Sequence, residues 1–325
     1  MESQQTKQPF LETYAVPILI AFVAIGALLL QARPSAGIQV VSLNDAEYDA
    51  LAQTVTPSDG VELPVVWADL GKQLVESGAI DRMKLISLYN NLSEEEALLD
   101  GRNDKRMRIT RENAPYLLNL LWAFGLANKN PILEDQTEMM NPVRNHARAS
   151  APEGPSGRAI SNGVNPGVGD PSVFASVGGW TLARGDAMEH YGAHSLVMLT
   201  DEQQALVEKI SRGIYRPCCD NSTHFPDCNH GMAMLGLLEL MASQGAGEEE
   251  MWDAALAVNS YWFPDTYQTI ALYKNQRGIA WSEVNPQEVL GYDFSSASGF
   301  AQIAAEVAPR SGSGASCGSR SRSGW

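Results

Sequence analysis

Three of the four cysteines in this 325-residue chain fall inside the stretch RPCCDNSTHFPDCNHGM, residues 216–232, together with His230. Cys218, Cys219, Cys228 and His230 follow the spacing C-C-x8-C-x-H. Thiolate and imidazole are the donors that zinc, copper and iron–sulfur centres select. Four of them in one loop can reach a tetrahedral arrangement without help from distant chain. The expected cofactor is therefore a transition metal ion: zinc, copper or iron. Pro217 and Pro226 stiffen both arms of the loop, which reduces the entropy lost on binding. Asp227 and Asn229 alternate with the donors and offer hydrogen-bond partners for the imidazole. His224, within the same loop, is a reserve ligand. Two further chemistries fit these residues. A Cys219–Cys228 or Cys218–Cys228 disulfide would staple the loop, and thiol exchange could run through Cys218 or Cys219, although the CxxC spacing that usually carries it is missing.

A second constellation lies in GGWTLARGDAMEHYGAHSLVML, residues 178–199. Read as a helix, it places Asp186, His190 and His194 at i, i+4 and i+8 on one face, a lesser metal-binding set. Gly185 and Gly192 weaken that helix, and the glutamate of an H-E-x-x-H motif is missing. Met232 and Met234 are soft enough for copper, but at helical spacing among leucines they read as core. No glycine-rich nucleotide fingerprint, phosphate loop or nucleophile elbow occurs, so the spacing assigns no enzyme class.

The elements that must position these residues read as mainly α. Helical spacing of apolar residues predicts helices over 65–78, 81–92 and 110–130, with a further start at Ser93. The helix over 110–130 is apolar on nearly every side and should be the buried centre. In the second half, Thr200 and Gln203 form a capping box for 201–216, His230 opens a helix over 230–245, and further helices follow over 248–263 and 265–278. Residues 131–180 are dense in Gly, Pro, Ser and Asn and read as a loop or linker.

The chain thus divides into an N-terminal tail (1–12), a transmembrane anchor (13–32), a helical subdomain (38–130), the loop (131–180), a second helical subdomain carrying the Cys/His site (181–308) and a disordered tail (309–325) that holds Cys317. The anchor rests on residues 13–32, which contain no charge and are long enough to cross a hydrocarbon core of about 30 Å as a helix. A cleaved signal peptide is the alternative, but the acidic residues before the run and its length argue against it. Large domains translocate largely regardless of charge, which places the remainder outside the cytoplasm at the cell membrane.

Lys and Arg number 23 against 38 Asp and Glu, a formal charge of -15. Such a balance repels phosphate backbones, so nucleic acid is not an expected partner. The expected partners are the lipid bilayer, through 13–32, and other membrane protein subunits. Two functions follow. The first is a single-pass, membrane-anchored, extracytoplasmic metal-binding or redox protein. The second is a non-catalytic accessory or scaffold subunit, in which the cysteine cluster is a staple and the aromatic SYWFPDTY (260–267) offers a contact surface.

Overall fold

In the computed structural model, which describes residues 44–89, 93–134 and 170–307, the chain is mainly helical. All of these residues belong to the unit Ser42–Trp325. The expected fold class is corrected in one respect. No helix among the described residues is long and apolar enough to cross a membrane, and the expected anchor over 13–32 lies outside them, as do the tails 1–12 and 309–325 with Cys317.

The first half opens with α1 (Asp45–Val55), whose Asn44 cap and Glu47 exchange backbone hydrogen bonds. Next comes β1 (Val61–Ala68). Here the predicted helix over 65–78 begins too early. Leu63, Val65 and Trp67 are buried while their neighbours are not, a period of two that only a strand produces. Pairing across the sheet settled what a short apolar run could not: β1 runs antiparallel to β2 (Asn103–Ile109), with Val61 opposite Ile109 and Glu62 opposite Arg108. Helix α2 is confined to Leu70–Ser77 and ends on Gly78 in the left-handed region. Helix α3 (Arg82–Ile86) is capped by Asp81 and is far shorter than the 81–92 expected. Helix α4 covers Ser93–Asp100.

The central helix is α5 (Ala114–Ala127), buried from Leu120 through Ala127. Thr110 does not cap it. Pro115 suits the first turn, and Asn113 precedes the helix while exchanging hydrogen bonds with Thr110. In the second half, α6 (Asp201–Gly213) starts on the Thr200/Gln203 capping box read from the sequence. Helices α7 (Asn229–Ser243), α8 (Glu248–Trp262) and α9 (Pro264–Asn275) follow. Three short helices, α10 (Pro286–Val289), α11 (Tyr292–Ser295) and α12 (Ala297–Glu306), close the described chain. Tyr261 and Tyr267 of the aromatic stretch are buried in the core rather than offered as a surface.

Helices α5 and α7 form the centre, with α6 and α8 packed on α7. They cross where Gly125 meets Gly236. A Cβ on Gly236 would sit 2.5 Å from the Leu121 carbonyl oxygen and 2.9 Å from the Gly125 nitrogen, so no side chain fits. Gly236→Ala should therefore force the two backbones apart and cost about 1–3 kcal/mol in urea unfolding; a change below about 0.5 kcal/mol would show that the crossing is not tight.

One carboxyl group is buried in this centre. Glu239 of α7 is wholly inaccessible, accepts a 2.6 Å hydrogen bond from Asn128 Nδ2 through one oxygen, and leaves the other without a partner. Burial pushes its carboxyl well above the usual glutamate range, against the hydrogen bond from Asn128. A folded value above the unfolded one means that this group's stabilisation is complete below an unfolded pKa of about 4.3 and is lost as pH rises through the raised folded value. Wild type should then lose stability relative to Glu239→Gln by up to about 1.4 kcal/mol per pH unit across that window. Urea unfolding at several pH values measures the difference, and parallel curves would refute it.

The loop read over 131–180 is not all loop in character. Residues 135–169 lie outside the described set, but Val177 and Trp180 are in the core. Trp180 Nε1 donates to the Ala79 carbonyl at 2.8 Å, and Trp122 Nε1 of α5 donates to the Ser176 carbonyl. Gly and Pro density reports turn chemistry, not absence of packing.

Candidate metal centre

The cysteine segment hangs between the end of α6 and the start of α7 and is pinned from three sides. Tyr215 bridges to Ser222, and the Thr223 N–H donates to the Ile214 carbonyl at 2.8 Å, folding the segment back on itself. From the C-terminal side, Ala297 N–H donates to the Cys219 carbonyl at 3.0 Å, and Asp220 accepts from Ser298 N and Oγ at 2.8 and 2.6 Å. From the remaining side, Ser176 N–H donates to the Asp227 carbonyl at 3.1 Å. Cys228 is the N-cap of α7, with its sulfur accepting from Gly231 N–H at 3.4 Å. The site is thus mounted on the rigid helix that crosses α5.

Cys228 Sγ is the hub. It lies 3.4 Å from Cys218 Sγ. Donor atoms of Cys218, Cys228 and His230 all fall within 4.8 Å of one another, as do those of Cys219, Asp227 and Cys228. The four expected donors, joined by Asp227, therefore fall into two triads that share one sulfur. Either triad can hold a metal ion. Cys218 is exposed, while Cys219 and Cys228 are half-buried.

His230 is half-buried beneath the end of α8, its ring 4.4 Å from that of Phe263 and 5.8 Å from that of Trp262. Its Nδ1 is buried and has no hydrogen-bond partner among the described residues. Burial lowers its pKa to about 4, so the ring is neutral near pH 7 and keeps a free lone pair for a ligand role. Asp227 and Asn229 do not orient it, contrary to expectation. Asp227 bonds Arg216 Nη2 at 2.8 Å and Asn221 Nδ2 at 2.9 Å, and Asn229 Oδ1 accepts from the His230 backbone N–H.

Arg216 is the residue that sequence reasoning passed over. Its side chain is 0% exposed, with Nε donating to Cys228 Sγ at 3.2 Å and Nη2 to Asp227 and to the Phe225 carbonyl. It lies so close to α7 that a Cβ on Gly231 would meet Cζ at 2.6 Å. A cation next to the cysteine pair was visible in RPCC. That it turns inward was not, because arginines are mostly solvated.

These contacts rank the three thiols. Hydrogen bonds from Cys218 and Cys219 hold Cys228 well below the usual thiol range against burial, helped by Arg216 and Gly231 N–H. Cys218 is driven up by its hydrogen bonds to Cys219 and Cys228. Cys219 rises to about 11: its bond with Cys218 acts downward, but the bond to Cys228 and burial outweigh it. Cys228 is therefore the first thiolate.

No family model, curated protein or solved structure matches this chain. The site rests on its own geometry.

The other expected ligands lie elsewhere. His224 is buried against α6, with Nδ1 3.3 Å from Ser211 Oγ, and joins neither triad. Residues 178–199 are not helical beyond a single 3-10 turn, Ala187–Glu189, because Gly185 and Gly192 take left-handed conformations. Asp186 caps that turn through Met188 N–H. His190 and His194 do meet, Nδ1 to Nε2 at 3.0 Å, but as a hydrogen-bonded pair anchored to the Arg184 carbonyl, with Asp186 not among the donor groups brought together.

Proposed function

We propose that this chain is a metal-binding protein that holds one divalent transition-metal ion through Cys218, Cys228 and His230, with zinc the best fit. The observation that carries this reading is the mutual reach of the three donor atoms. Two features support it. The half-buried, neutral imidazole has a buried Nδ1 without a hydrogen-bond partner among the described residues, and such an atom is costly unless something completes it. Charge also balances: Arg216 and Asp227 cancel as an ion pair, and two thiolates then bring two negative charges that a divalent ion neutralises. Net charge held partly out of water is unfavourable, so this match favours a divalent over a monovalent ion. Three protein ligands would leave one tetrahedral position open, and the exposure of Cys218 suits an ion that enters and exchanges. Metal handling suits such a site better than a closed structural role.

The test is metal analysis of reduced protein after equilibration with zinc, iron(II) or copper(I) and gel filtration. About one bound zinc ion per chain is expected, in preference to copper(I) at equal free concentration. Fully reduced protein that retains no metal would end the proposal.

A further inference from the structure

We infer that the same site carries a second, redox activity: Cys218 and Cys228 form a dithiol that closes to a disulfide by exchange with a low-molecular-weight disulfide, and closure expels the ion. This rests on the proposed metal-binding reading only for the expulsion. The two sulfurs stand 3.4 Å apart and need approach by only about 1.4 Å to reach a bond length near 2.05 Å. The roles divide by access. Cys218 is exposed and meets the reagent, whereas Cys228 is half-buried and held from behind by Arg216 Nε and Gly231 N–H.

Each step balances. The Cys218 proton passes to the Cys228 sulfur along their 3.4 Å contact; the Cys218 thiolate attacks the small disulfide RSSR, giving a Cys218–S–SR mixed disulfide, and the released RS⁻ takes that proton from Cys228, leaving it a thiolate. The Cys228 thiolate then attacks the Cys218 sulfur, the Cys218–SR bond breaks, and a second RS⁻ leaves. The protein loses two electrons to the small disulfide. Cys219 is not the proposed partner: its carbonyl is tied to Ala297 N–H, its sulfur faces the Asn221 carbonyl at 4.0 Å, and it groups with Asp227 and Cys228 rather than with Cys218 and His230. The disulfide consumes two of the three ligands that hold the ion, leaving His230 alone.

The experiment treats reduced full-length protein, with and without zinc, with glutathione disulfide, followed by peptide mapping and zinc analysis. A Cys218–Cys228 cross-link with loss of two hydrogens is expected in both samples. Bound zinc should fall from about one per chain to none and return on reduction with dithiothreitol. Cys219→Ser should cross-link and release zinc in the same way. A link through Cys219, no link, or zinc retained after cross-linking would overturn the inference. Failure of the reduced protein to bind zinc in the first place would instead remove the metal-binding reading, and the cross-link would still report on the dithiol.

Discussion

Cys228→Ser should weaken zinc binding on the order of a hundredfold while leaving the protein folded. Both triads share the Cys228 sulfur, so its loss breaks either set, whereas loss of Cys219 spares the one that includes His230. Structural zinc sites yield about 10–16 kcal/mol from four ligands, so one thiolate represents roughly 3 kcal/mol, on the order of a hundredfold in Kd. The variant is informative because Cys228 is also the N-cap of α7. Serine is among the best N-caps, so the helix should keep its start; Asp227 still pairs with Arg216, so metal-free protein should lose only the charge-assisted contact from Arg216 Nε, less than the loss expected for removing Arg216 itself. Zinc titration monitored by a competing chelator, alongside urea unfolding of metal-free protein, separates the two effects. Unchanged zinc affinity would place the ion elsewhere.

Arg216→Met should destabilise the fold by about 3 kcal/mol, the largest single effect expected among the site's neighbours. The guanidinium is wholly enclosed and faces both Asp227 and Cys228. Its pKa is raised: burial works against the charge, but the surrounding cysteines and Asp227 more than offset it. Removing one member of a buried pair leaves the other uncompensated, which typically costs 3–5 kcal/mol; partial exposure of Asp227 argues for the lower end. Removing both should be milder, so Arg216→Met with Asp227→Asn is expected to recover part of the loss. Urea unfolding of metal-free, reduced protein measures all three. A single variant within about 0.5 kcal/mol of wild type would mean that the ion pair does not organise the loop.

Local signals in the sequence located several elements well. The capping box at Thr200 and Gln203 placed the start of α6, and the acidic run at Glu248 together with Pro264 divided α8 from α9. Such signals succeed because a cap satisfies backbone groups only a few residues away. The errors came where long-range pairing decided. Val66 and Trp67 sit at helical spacing with Leu70, yet they belong to a strand because Asn103–Ile109 pairs alongside. Residues 170–180 look like linker, yet Trp180 and Ser176 join the core through partners about a hundred and about fifty residues away.

The composition of the cysteine segment by itself determined that thiols and an imidazole would gather between two helices, since their sequence separation allows little else. How they gather was a tertiary decision. Cys228 became the shared sulfur because it caps α7, a helix held in place by the glycine crossing with α5. Arg216 turned inward because Asp227 and the thiolate waited there to neutralise it, and a buried charge is tolerated only beside its opposite.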